Sequence, residues 1–584
     1  MTLQELEHPG SAPLLAPAAP RRRTTLGTVL TRRAVGLVLV IGPLAWAATR
    51  AVPASGEVVN TGGLRLLGAL FGSALHPALS TDFLLLVLHG VGVTLVFAAL
   101  GTAGALLIGA IGGLVLSDVA WGGRPSWPIR SVRLALRGIL VAIRSIHELI
   151  WALLLVSVLG LDPLVAVLAI ALPFGAQTAK VFAETLDAVP PRPLATLRLT
   201  GAPPATAMGY ALLPAAAPLL LSYSFYRFEC AIRSVVVLGA VGVGGLGQEL
   251  VVSLSSRNWD EVWTLIAAVL LLSAVTDLWS SLLRADLAVV SCSDWSSGTT
   301  RAGRSGPSRL RSGARDTTRW ARWSAALAVP GLVAAWMASG ASWSGLTSDR
   351  TRQLTGRLLD DLWPPQVPPG GWTSLLTGVL DTLAMAVLAM SVAIAVTLVV
   401  GPWGARRRRV SSDRPLPWLV ALPRRTGWVL ARLILLVLRS VPPTVWAVIA
   451  LLALFPGVLP GALALGLYTG GILGRLVAEA WESVDTRSRE TLVTTGTPRW
   501  LAGIAATVPP SAGHLVAYTL YRFEICVRDT AVVGVVGAAG LGRLFAENMA
   551  VFRFPALTTL LAASFGLSVA SELLGRRLRS ALRP

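Results

Sequence analysis

Lysine is almost missing from this chain of 584 residues, since Lys180 is the only one among 50 basic residues. A phosphate-cradling loop of the form GxxxxGK[ST] needs a lysine behind a glycine run. Lys180 lies instead in Ala176-Gln-Thr-Ala-Lys-Val, so the chain has no nucleotide-hydrolysing loop of this kind. Charge is also scarce, at 14% of residues, where a soluble domain carries about 25%. The three cysteines, Cys230, Cys292 and Cys526, have no CxxC or CxxH neighbour, which argues against a disulfide framework or a zinc site. Five histidines, His8, His76, His89, His147 and His514, are scattered without metal-ligand spacing. No catalytic and no metal-binding residue is assigned.

Apolar residues are abundant, at 54%, with a mean hydropathy of +0.67. The chain is built for a lipid bilayer. Its net charge of +20 falls mostly in short segments between apolar runs, as cytosolic loops of membrane proteins require, and this disfavours a nucleic-acid partner. A ruler of about 20 apolar residues marks spans near 34–50, 84–116, 139–159, 162–182, 213–241 and 260–283. It then marks 323–342, 375–402, 428–455, 457–477, 509–536 and 556–575. The fold expected is an all-α polytopic membrane protein of about twelve transmembrane helices. Arg21 to Arg23 before the first run imitate a signal peptide, but a segment in the same relative place of a second copy, 323–342, makes the first run a retained span.

The basic clusters at Arg406 to Arg409, at Arg424 and Arg425, and at Arg576, Arg577 and Arg579 place both termini in the cytosol. The expected organisation is a cytosolic tail over 1–33, a first six-span unit over 34–285, and a flexible cytosolic linker rich in Arg, Ser and Gly over 286–322. A second six-span unit over 323–577 and a short cytosolic tail over 578–584 follow.

The two units are copies at an offset of 295 residues. Tyr226 to Gly247 lies over Tyr521 to Gly542 with 12 of 22 positions identical, and the same offset pairs Arg144-Ser145 with Arg439-Ser440 and Trp151 with Trp446. An even number of spans per copy makes the repeat parallel, with an axis along the membrane normal and a central seam between halves. Between the fourth and fifth spans each copy has a long cytosolic loop. Glu184 is followed after 17 residues by Gly201 and then by Pro214; Glu479 is followed after 17 residues by Gly496 and then by Pro509. The glycine permits a tight turn and the proline suits a helix start.

With Ala183-Glu184-Thr185-Leu186, Gly201 and Leu213-Pro214, and with their second copy, the chain resembles the membrane permease subunit of binding-protein-dependent ABC importers. Thr185, Leu186, Trp481 and Val508 depart from that family's Glu-Ala-Ala and Leu-Pro pattern. The Tyr-Arg-Phe-Glu-x-x-x-Arg segment before a glycine-rich turn resembles the phosphonate-type permeases, which import phosphonates, phosphite or phosphate. The resemblance covers about 80–285 and 370–577 and implies two fused permease subunits in the cytoplasmic membrane of a bacterium. It also implies two copies of an ABC ATPase docked at the loops, an external substrate-binding protein, and no cofactor on this chain, with ATP and Mg on the ATPase. A permease for an amino acid or osmoprotectant is the alternative, with an ion-gradient-driven transporter behind it.

Charges inside spans are costly and are either paired or functional. Arg144, Arg227, Glu229 and Arg233 in the first copy match Arg439, Arg522, Glu524 and Arg528 in the second. Glu229 with Arg233 and Glu524 with Arg528 are i,i+4 pairs that can neutralise each other. The arginines left over are expected to line the seam and guide an oxyanion. His147 beside Glu148 is expected to be a packed, hydrogen-bonded histidine, and Asp529 in place of Ser234 marks a difference between the halves. Gly242, Gly245 and Gly247 satisfy GxGxxG but follow a membrane span, and Gly537, Gly540 and Gly542 repeat them incompletely. Both are read as flexible external turns and not as a dinucleotide site.

Overall fold

The computed structural model describes residues 41–52, 56–121, 126–189, 192–295, 319–405, 418–485 and 487–582. The tail 1–33, the centre of the linker at 296–318 and the cluster Arg406 to Arg409 lie outside the described residues. Among the described residues every named element is helical, and the one β-bridge joins Val59 to Leu454.

Ten principal helices in each half follow the same order among the described residues. In the first half they are α1 (41–51), α2 (Thr61–Gly72), α3 (Thr81–Leu116), α4 (Trp127–Ser145), α5 (Glu148–Leu159), α6 (Pro163–Ala188), α7 (Arg192–Leu199), α8 (Leu213–Leu238), α9 (Leu246–Ser256) and α10 (Trp259–Trp295). In the second they are α11 (Arg319–Ser339), α12 (Asp349–Asp361), α13 (Gly371–Gly404), α14 (Trp418–Ser440), α15 (Pro443–Ala453), α16 (Val458–Ser483), α17 (Arg487–Thr494), α18 (Arg499–Val535), α19 (Leu541–Ala550) and α20 (Phe554–Leu582). Helix α10 continues to Trp295, so the first ten residues of the expected linker are helical instead of loose. Helix α20 likewise runs through most of the expected tail.

Seven helices among the described residues are long and apolar enough to cross a membrane, and nine if two bent pairs count as one span each. The seven fall on the expected runs from 84, 162, 213, 260, 375, 457 and 556. The run 509–536 lies in α18, which is long enough but carries Arg522, Glu524, Arg528 and Asp529. The run 323–342 lies in α11, whose apolar part is Ala326–Ser339, and the run 34–50 is described only from residue 41.

The expected spans 139–159 and 428–455 are both broken. Helices α4 and α5 meet at 93°, and the pair from Arg425–Ser440 to Pro443–Ala453 at 92°. The local chemistry explains both corners. His147 caps α5 by accepting the Leu149 N–H on Nδ1 at 3.1 Å, while Pro442 and Pro443 have no N–H to continue α14 and suit the first turn of α15. A tryptophan then ties the arms together: Trp151 Nε1 donates to Ile143 O at 3.2 Å and Trp446 Nε1 to Leu438 O at 3.3 Å. These indoles satisfy carbonyls that the broken ladder leaves open.

Small residues let the central helices approach. In the first half most of these glycines are on α3, where a Cβ on Gly109 would stand 2.4 Å from Thr178 Cγ2 and one on Gly113 2.6 Å from Phe182 Cβ. The second half puts them on the partner helix α16, where a Cβ on Gly466 would meet Val392 Cβ at 2.6 Å. Helix pairs in lipid depend on such close backbone approach because apolar burial gives little net drive there.

The outer helices cross between the halves. Ala47 of α1 is buried with Ala384 and Met385 of α13, and Arg50 Nε donates to Asp381 Oδ1 at 2.8 Å. Ala335 of α11 is buried in the cluster built on α3 and α6. The segment before α2 bonds to the end of α15, with Asn60 N–H donating to Ala453 O at 2.8 Å and Phe455 N–H to Val58 O at 3.2 Å. The two copies are therefore interlocked, not two bundles placed side by side.

Replacing Gly109 or Gly466 by Val is expected to cost about 1–3 kcal/mol through forced separation of the central helices. Thermal unfolding of the purified chain would register it as a lower midpoint. Gly68→Val, where nothing lies within 4 Å of an added Cβ, should leave the midpoint unchanged.

Candidate functional site

The broken helices bring their corners to the seam, where α8 and α18 also pass. A cavity of about 490 Å³ opens there. Of the expected intramembrane charges, Arg227, Glu229, Arg233, Arg439, Arg522 and Arg528 line it. Arg144 and Glu524 lie behind its wall, buried and ion-paired.

The pairing crosses between the halves. Arg439 Nη2 donates to Asp277 Oδ2 at 2.9 Å and Nη1 to Glu229 Oε1 at 3.4 Å, and both acceptors belong to the first half. Arg144 of the first half is bonded to Glu572 and stands 4.0 Å from Glu524, both of the second. Lys180 Nζ donates to Glu572 Oε1 at 3.2 Å, and Arg475 is bonded to Asp277. Asp277 and Glu572, and likewise Lys180 and Arg475, occupy equivalent places at the same offset of 295. The i,i+4 pairs are present inside this lattice, with Arg233 to Glu229 at 2.8 Å and Arg528 to Glu524 at 3.8 Å. Sequence reasoning missed Asp277, Glu572 and Arg475; the repeat offset, applied to acidic residues of the last span, would have found the first two.

Arg227 and Arg522 stand apart from the lattice. They are 5% and 6% exposed, and no ion pair to either is formed among the described residues. Arg227 lies over the Phe174 ring at 4.4 Å, a cation–π contact. Arg522 Nη2 donates to Thr469 Oγ1 at 3.4 Å, and Thr469 takes the place of Phe174 in the second copy. Nε and Nη2 of Arg227 and Nε of Arg522 are buried without a hydrogen-bond partner. A buried donor on a charged group is costly to leave unmade, and both guanidiniums stand at the cavity wall, while these particular nitrogens are themselves closed off from the cavity space.

The glycine-rich turns are fixed, which corrects their reading as flexible. Thr94 Oγ1 accepts the Leu246 N–H at 3.0 Å, and Thr382 Oγ1 accepts the Leu541 N–H at 2.9 Å. Gly247 and Gly542 pack so closely on the preceding helix that an added Cβ would stand 2.0 Å from Val236 O and 2.5 Å from Ala531 O. Gly242, Gly245, Gly537 and Gly540 have positive φ, between 80° and 113°.

At the ends of α6 and α16, before the loops, Glu184 and Glu479 are exposed, the latter bonded to Arg475 at 2.7 Å. Gly201 and Gly496, at φ 85° and 88°, end α7 and α17 with their N–H groups donating to Arg198 O and Val493 O, both at 3.1 Å. The expected helix start at the proline is corrected in both copies. Pro509 lies inside α18, and Pro214 follows a π-helical turn, Met208–Leu212, that joins α8 to helix already begun at Pro204.

A family model for the binding-protein-dependent transport system inner membrane component matches residues 121–289 and 415–584, once in each half. The chain is 29% identical over 490 residues to the phosphate-import permease protein PhnE of Mycolicibacterium smegmatis, with 84% of each chain covered. It is 34% identical over 198 residues to the putative phosphite transport system permease protein HtxC of Stutzerimonas stutzeri, covering 34% of this chain and 68% of that one. A second protein of that organism, the phosphite transport system permease protein PtxC, is 30% identical over 218 residues, with 36% and 74% covered.

Removing one partner of a buried ion pair strands the other, at about 3–5 kcal/mol. Arg439→Met takes one of two partners from Asp277 and from Glu229, which keep Arg475 and Arg233, so it should destabilise the purified chain by less than that, about 1–3 kcal/mol, in thermal or denaturant unfolding. Arg543→Met, whose salt bridge to Glu547 is half exposed, should change stability by less than about 1 kcal/mol.

Proposed function

We propose that this chain, which belongs to the family of binding-protein-dependent transport system inner membrane components, carries phosphate, phosphonate or a related phosphorus oxyanion across a bacterial cytoplasmic membrane. It does so as the permease subunit of an ATP-binding cassette importer, a reading supported by its similarity to phosphate-import and phosphite transport permeases.

The observation that carries the substrate class is a pair of buried arginines with no ion pair among the described residues, Arg227 and Arg522, that line a cavity shared by both halves. Guanidinium donors fit the oxygens of a tetrahedral anion and keep their charge at every physiological pH. The other arginines of the cavity wall are ion-paired with carboxylates, so these two are the ones left to meet an anion. A path that held the anion tightly would not release it. Two guanidiniums without a closed cage of further donors suit passage, and high-affinity capture belongs to an external binding protein.

ATP hydrolysis is assigned to a separate chain, since the single lysine is not in a phosphate loop. One ATPase copy docks at each cytosolic loop, against α7 with Glu184 and Gly201 and against α17 with Glu479 and Gly496. Each of these loops leads into a helix of the seam, α8 or α18. A push on the loops can thus rotate the helices that carry Arg227 and Arg522. The basic clusters support an orientation with both termini in the cytosol.

Uptake of labelled phosphate by cells expressing this chain with its ATPase and binding protein tests the reading, with an unlabelled alkylphosphonate as competitor. Phosphate uptake that needs the ATPase is the expected result, and Arg227→Gln with Arg522→Gln should lower it about tenfold or more at unchanged membrane levels. Unchanged uptake in that double variant would remove the two arginines from the path. Replacing Gly201 and Gly496 by Val, at positions of positive φ, should leave ATP hydrolysis running while transport falls; full coupling in that variant would count against the docking loops.

A further inference from the structure

The cavity has one wall that the repeat does not duplicate. On it stand Glu148 and Asp529, whose equivalents in the opposite halves are Pro443 and Ser234. His147 lies between them, with Nε2 3.5 Å from Glu148 Oε2 and 3.6 Å from Asp529 Oδ1. Its Nδ1 accepts the Leu149 N–H, so the imidazole proton is on Nε2 and points toward the two carboxylates. Glu148 Oε1 accepts the Ser234 hydroxyl at 2.7 Å. Glu148 thus accepts one hydroxyl and both acids have a neutral N–H within 3.6 Å, and carboxylate lone pairs are left over in the same cavity that Arg227 and Arg522 line.

A cavity meant only to attract anions would gain nothing from carboxylates. They repel every bare oxyanion, yet they accept a hydrogen bond from an anion that still carries a proton. Hydrogen phosphate and alkylphosphonate monoanions have such a P–OH group; sulfate at neutral pH has none. Resting on the oxyanion path described above, we infer that Glu148 and Asp529, positioned by His147, are specificity-determining residues that accept the P–OH of a protonated phosphorus oxyanion while Arg227 and Arg522 bind its bare oxygens. Anions without an acidic hydroxyl meet two carboxylates and no compensating bond. The discrimination is then a property of the permease itself, independent of the external binding protein.

Linewidths of the phosphorus-31 resonance of inorganic phosphate, recorded with the full chain in lipid nanodiscs at neutral pH, test this without the other subunits. Methylphosphonate should reverse the broadening, whereas sulfate and dimethyl phosphate should need about tenfold more or higher concentration. Dimethyl phosphate is decisive because it carries a single negative charge and no P–OH. Asp529→Ser puts in the residue that the first half has at this place, and Glu148→Gln with Asp529→Asn removes both charges; each should bring sulfate close to methylphosphonate in potency. Equal competition by sulfate in the unaltered chain would overturn the inference while Arg227→Gln with Arg522→Gln still abolished the broadening, which leaves the oxyanion path standing. Broadening absent altogether, or indifferent to the two arginines, would remove the path and this inference together.

Discussion

A charge buried in a membrane protein has to find an opposite charge within reach, and here the partner is in the other half of the chain. Arg439 is held by Asp277 and Glu229, and Arg144 by Glu572 and Glu524. Neither half could bury its own arginine at this depth without the acids of the other, since a stranded buried charge costs several kcal/mol. The seam is therefore closed by reciprocal exchange, and the exchange is repeated in the outer helices, where α1 lies on α13 and α11 on the cluster around α3. The cavity exists because the corners that carry Arg144 and Arg439 are broken at near right angles and face each other.

Duplication followed by divergence explains how one cavity combines features that both halves share with features that only one half has. The lattice of paired charges keeps the same form in both halves, as a structural device must. The groups left over differ: Phe174 against Thr469 beneath the two unmatched arginines, Gln177 against Ile472, and Glu148 and Asp529 against Pro443 and Ser234. Two identical subunits would present every feature twice. Fusion lets one wall carry carboxylates and the other a proline corner, so the cavity presents an asymmetric surface.

The helical class, the repeat and most of the charges were legible in the sequence, because long apolar runs and an offset of 295 residues are strong signals. The broken spans were not. Apolar runs across Ile146-His147 and Val441-Pro442 have the length of a crossing helix, and hydropathy does not register a corner made by a histidine cap or a proline pair. The glycine-rich turns were misread for a related reason. Glycine signals freedom of the backbone in general, whereas Gly247 and Gly542 serve close approach and Gly245 and Gly540 a turn fixed by a threonine hydroxyl. The trans-pairing of Arg144 and Arg439 was invisible because i,i+4 spacing points to partners on the same helix. Those partners are there, but they neutralise only part of each cluster.

The account stands on the exchange of charges across the seam, and expression of the two halves as separate chains divided within 296–318 tests it most directly. Co-purification of an affinity-tagged first half with the second is predicted, with the association lost when Arg144 and Arg439 are both replaced by Ala. Halves that stay together undiminished without those two arginines would contradict it, and would mean that apolar contact alone holds the seam.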